Sequence, residues 1–183
     1  MRDLTKLGIG AFGNRPFPSI SEEALREFER AFDVSLPVSD IQFLRFANGG
    51  TLKVSDYDDP TTGGRGGIND FYGLGSREDD ERALSLGKWD YGNLWGETRI
   101  FSKVSPKLGI PFARDGGDNQ LFLAYSEEIV RVSRLIFASR TCYRIAQSFE
   151  QFLDLLQVKS SAPASKGKRS ITRAVRLRLP KEE

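Results

Sequence analysis

Asp56, Asp58 and Asp59 put three carboxylates into four positions, a donor set of the kind that calcium loops use. An EF-hand loop also needs glycine at its sixth position and glutamate at its twelfth. Counted from Asp56 these positions hold Thr61 and Gly67, and counted from Asp115 they hold Gln120 and Ser126, so neither run fits. The run reads as a solvated acidic loop. Two glycine runs invite a phosphate-binding reading, but a phosphate loop needs Gly-Lys followed by Ser or Thr. Here Gly87-Lys88 precedes Trp89, and Gly167-Lys168 precedes Arg169. Gly63-Gly64-Arg65-Gly66-Gly67 resembles one unit of an RNA-binding tract, and a single unit is better read as a flexible loop. Cys142 lies between Arg140 and Arg144, which could lower a thiol pKa, but the chain has no histidine to serve as its base. The lack of histidine also excludes Ser-His-Asp triads, Cys-His dyads and His-ligated metal sites. Paired carboxylates can run acid–base chemistry, yet nothing in the spacing of the 25 acidic residues selects a pair. No catalytic residue, metal site or cofactor is expected, and the chain is read as a non-enzyme.

Binding is the chemistry that remains. Trp89, Tyr91 and Trp95 alternate with Asp90, Gly92, Asn93 and Gly96, a mixture typical of protein-binding loops. An equal reading is that the tryptophans close one end of the core. Two acidic runs accompany them. The candidate partner-binding residues are therefore Asp56, Asp58, Asp59, Glu78, Asp79, Asp80, Glu81, Trp89, Tyr91 and Trp95. The plainer alternative is that both charge runs are simply solvated surface.

These residues need a frame. With 183 residues, 39% of them hydrophobic and 28% charged, the chain suits one ordinary soluble domain. One cysteine allows no intrachain disulfide and suits a reducing compartment. No apolar run approaches the roughly 18 to 20 residues of a membrane helix, and residues 1–14 lack a continuous apolar stretch, so a cytoplasmic location is expected. Residues 1–158 carry 19 Lys/Arg against 23 Asp/Glu, a balance of −4, whereas residues 159–183 carry 8 against 2, a balance of +6. A mildly acidic body, 1–158, is thus expected to carry a basic tail, 159–183.

Apolar spacing supplies the elements. Residues 1–18 read as a surface arm or short edge element. A helix opens at Ser19 or Ser21, with Ser19 and Glu22 matching a capping box, and buries Leu25, Phe28 and Phe32. Glu22, Glu23, Glu27 and Glu29 point elsewhere. Pro37 starts a second helix that Asn48-Gly49-Gly50 stops. Strands are expected over 51–55, 68–74, 110–114, 120–125 and 129–138, a loop over 56–67, and a short helix over 76–85. Ser148 caps a last helix with Phe149, Phe152, Leu153 and Leu156 on one face. Helices grouped at both ends of a run of strands with short connections predict an α+β domain with a mostly antiparallel sheet.

Three segments carry a resemblance. Leu36-Pro37, then Ile41, Phe43, Leu44 and Asn48-Gly49-Gly50, resembles the "LP…fL…NGG" signature of the SUKH superfamily, which includes cell-wall-assembly regulators and immunity proteins. Residues Ile110 to Asn119, with Leu121 and Leu123, are similar to its "iPfa.dGgGn.l.ld" strand-turn-strand. Ile145-Ala146-Gln147-Ser148-Phe149-Glu150-Gln151-Phe152-Leu153 is similar to its closing "iA.sFeeFL" helix. Together they span about residues 19–157. The resemblance implies a central antiparallel sheet flanked by helices and a non-enzymatic, partner-binding role. Its motif residues look structural, so no catalytic residue is carried over. The stretches 56–67 and 76–96 are long for the pattern, and the tail has no counterpart in it.

The first expectation is an immunity protein that neutralises a cognate bacterial toxin, of basic nuclease type, by stoichiometric binding. The alternative is a regulatory or scaffold protein of the cell-wall-assembly-regulator type. A third reading is nucleic-acid binding through the tail, disfavoured because its basic stretch holds no aromatic for base stacking. Within the tail, residues 171–179 are expected to dock on the body. No membrane partner is expected.

Overall fold

Where the apolar period changes from helical to alternating, the chain changes from helices to sheet. The computed structural model describes residues 2–10, 17–59, 63–88, 91–104, 109–117, 119–126, 129–136, 138–139 and 141–157. In chain order these form a 3-10 turn (Leu4–Leu7), β1 (Ile9–Gly10), α1 (Glu22–Phe32), α2 (Val38–Phe46), β2 (Thr51–Leu52), β3 (Asp56–Asp58), β4 (Arg65–Gly67), β5 (Asp70–Phe71), α3 (Arg77–Ser85), α4 (Leu94–Val104), β6 (Ile110–Arg114), β7 (Gln120–Ser126), β8 (Ile129–Ile136), β9 (Thr141–Ala146) and α5 (Phe149–Leu155). The fold is α+β with antiparallel sheets. The expectations about residues 159–183 lie outside the described residues.

The main sheet is an antiparallel meander in the order β5-β6-β7-β8-β9. Pro111, which has no N–H to give a ladder, sits where the β6–β7 register shifts. Alternation sends neighbouring residues to opposite faces. Leu121 and Leu123 join the main core, while Phe122 packs with Phe101 of α4, Leu135 and Cys142 in a smaller second cluster. On the main face, Phe43 of α2 and Phe149 and Phe152 of α5 close on Phe71 and Phe112, with ring centroids 4.6 to 6.5 Å apart. These tilted and edge-on contacts suit aromatic quadrupoles and add to the area they bury.

The Asn48-Gly49-Gly50 turn is a clamp. The Asn48 amide donates to the carbonyls of Pro18 and Leu74, and its oxygen accepts from the Leu74 N–H. Gly50 has φ +130°, and a Cβ there would lie 2.2 Å from the Gly10 carbonyl oxygen. Only glycine lets the turn bring the N-terminal strand and β5 together.

Several local expectations need correction. Ser21, not Ser19, caps α1, its hydroxyl accepting from the Ala24 N–H at 3.1 Å, since Glu22 is already the first helical residue. The expected strands over 51–55 and 68–74 shorten to Thr51–Leu52 and Asp70–Phe71. The expected loop over 56–67 contains the β3–β4 ladder, Tyr57 pairing with Gly66. Gly66 serves packing there: a Cβ on it would meet the Tyr57 ring at 2.3 Å.

Candidate partner-binding surface

Ser76 opens α3 by accepting from the Asp79 N–H, and Glu78, Asp79 and Asp80 fill the first turn, where the helix dipole favours negative charge. Arg77 ties this helix to α1. It pairs with Glu81 at 2.8 Å and with Glu27 of α1 at 3.5 Å, and its guanidinium lies 5.5 Å above the Trp95 ring. Trp95 itself is buried, edge-on to Phe28 at 5.2 Å. Between the two helices runs a groove of about 440 Å³, lined by Ala24 and Trp95 and by Glu23, Glu27, Glu78 and Glu81, with Arg77 its one basic lining residue among the described residues. Among the described residues, Glu23 and Glu78 have no ion-pair partner.

The structure separates the sequence-derived candidates from one another. Glu78, Asp79 and Glu81 are exposed on α3, and Asp79 pairs with Arg82 at 3.7 Å. Asp56 and Asp58 are held elsewhere, on β3, where the Asp56 backbone pairs with Gln157 and the Asp58 carboxylate accepts from the Gln157 amide at 3.4 Å. Tyr91 is 37% exposed, with the Arg114 guanidinium 4.1 Å over its ring, and Arg114 in turn reaches Asp70 at 2.8 Å. Trp89 lies outside the described residues.

Asp59, Asp80 and Trp95 are corrected out of an exposed face. Asp80 is buried and pairs with Arg99 of α4. Asp59 is buried against Arg134 of β8, carboxylate to guanidinium 3.1 Å. Arg134 also donates to the Tyr57 hydroxyl at 3.4 Å and lies 3.9 Å from Asp115. Asp115 accepts from the N–H groups of Gly117 and Asn119 and so closes the turn between β6 and β7. Burial pushes the Tyr57 hydroxyl up to about 12. This buried cluster ties the β3–β4 hairpin to the sheet and is closed to a ligand.

The reading from sequence did not name Glu23 and Glu27 as partner-binding residues. The available signal was that both lie off the apolar face of α1; which second helix would face them was not legible. Cys142 is buried, and burial lifts its thiol to about 11, which leaves little thiolate at neutral pH. Among the described residues, no group of three or more acidic or cysteine side chains is placed to hold a metal ion. No helix there is long and apolar enough to cross a membrane.

Residues 19–155 match a family model described as the SMI1 / KNR4 family (SUKH-1). A search of curated proteins found no match.

Proposed function

Since the chain belongs to the SMI1 / KNR4 family (SUKH-1), whose membership supports a protein-binding role in immunity or regulation, we propose that it is a non-enzymatic immunity protein. It acts in the cytoplasm and neutralises a basic, nuclease-type toxin by stoichiometric binding. Residues 1–158 form the binding body and 159–183 a basic appendage.

One observation carries this reading: among the described residues, the lining of the α1–α3 groove sets four carboxylates against one arginine. A nuclease must attract phosphate and so presents cations, and an acidic face gains association rate and specificity against it. The same face repels nucleic acid, which weighs against direct DNA or RNA binding there.

The test is inhibition of a nuclease toxin encoded beside this gene. The full-length protein should abolish its activity near one-to-one stoichiometry, and Glu23→Lys with Glu78→Lys should weaken that inhibition. Full nuclease activity in the presence of excess protein would refute the toxin reading and leave the regulatory one.

A further inference from the structure

We propose that the basic segment 171–179 docks in the acidic groove between α1 and α3 of its own chain, where it competes with the protein partner. This rests on the same groove as the functional reading, but it concerns the free protein. The groove offers what such a segment needs. Glu23, Glu27, Glu78 and Glu81 line it, with Arg77 between them over the buried Trp95. In the segment, Val175, Leu177 and Leu179 alternate with Arg176 and Arg178. Extended chain places such residues on two opposite sides, one apolar and one cationic. The arginine side meets the groove's carboxylates, which bind guanidinium through paired hydrogen bonds.

Reach is sufficient. The described chain continues to Gln157, and thirteen residues separate it from Ile171. At about 3.3 Å each these span on the order of 40 Å, comparable to the diameter of a domain of this size. Tethering holds the segment near its site at a millimolar-scale effective concentration, so a weak contact suffices. The rival docking place within the chain is the outer edge of β9, the last strand of the sheet. That edge carries exposed Arg144, which opposes a second row of arginines.

The test uses the full chain with Ala174→Cys carrying a nitroxide. Cys142 is buried, so the introduced thiol is the one that reacts. The amide signals of Ala24, Glu27 and Glu78 should fall about twofold or more at about 0.1 M salt and recover at about 1 M, where the screening length drops from about 10 to about 3 Å. Glu23→Lys with Glu78→Lys, in a chain whose remaining spectrum is unchanged, should abolish the loss. Three results overturn the proposal: no loss, loss at Tyr143 and Arg144 instead, or loss that appears when labelled chains act on unlabelled ones. No partner is present in this measurement. A null result therefore leaves toxin binding standing, and a toxin that fails to bind leaves the docking standing.

Discussion

Arg134 joins residues that lie far apart in the sequence: Asp59 after β3, Asp115 at the end of β6, and Tyr57 within the hairpin. Removing the guanidinium takes the cation away from the buried Asp59 carboxylate, and breaking such a buried pair costs roughly 3–5 kcal/mol. Arg134→Ala should lose stability on that scale in chemical denaturation. Arg134→Leu combined with Asp59→Leu should lose clearly less, because no buried charge is left alone at Asp59. Asp40 of α2 is a different case. It is 3% exposed, and burial alone raises its carboxyl to about 7. A carboxyl whose pKa is higher folded than unfolded stabilises the fold while protonated, and that contribution is lost as pH rises from about 4 through 7. Asp40→Asn should therefore raise the melting temperature at pH 8, with the gain shrinking toward zero near pH 4. An unchanged difference across that range would refute the assignment. Neither residue was singled out in the sequence, since an arginine in a strand and an aspartate in a helix both read as surface.

At the scale of elements, legibility followed period and capping. α1, α5 and the strands β6 and β7 carry long apolar patterns with clear stops, and they appear where the spacing puts them. The hairpin β3–β4 does not, because its glycine-rich strand has no side-chain alternation to read. Its order comes from Tyr57 lying across Gly66. Two adjacent positions test this. Gly66→Ala drives a methyl into the Tyr57 ring and should cost about 2 kcal/mol, as overpacking does. At Gly67 the nearest atom to a new Cβ is a carboxylate oxygen of Asp56 at 3.4 Å, an ordinary contact, so Gly67→Ala should stay within about 0.5 kcal/mol of the parent. Equal losses from the two would show that strand propensity, not the ring, decides. α4 and β9 were not foreseen: α4 mixes Gly96 and three charges into its apolar run, and β9 does not alternate, its buried residues coming in pairs at either end around half-buried Tyr143 and exposed Arg144.

On the scale of the whole molecule, the turn and core residues of the three motifs made the fold legible, while the surface was not. Acidic runs are adjacent in sequence, but exposure is set by what packs on them. Asp80 turned inward to Arg99, and the second wall of the groove came from α1, some fifty residues earlier. The consequence is a molecule with an acidic groove and a basic tail whose net charge of +2 conceals both. Long-range attraction then acts on association more than on dissociation, since steering operates before contact. Glu23→Gln with Glu78→Gln keeps side-chain length and removes two charges from first helical turns, where each carboxylate contributes about 0.3–1 kcal/mol. The pair should lower the melting temperature slightly. It should slow association with a basic partner about tenfold at low salt, change dissociation little, and lose its effect above roughly 0.5 M salt. If dissociation quickens instead and salt makes no difference, the two carboxylates touch the partner directly in a desolvated contact, and steering by the groove is the wrong account.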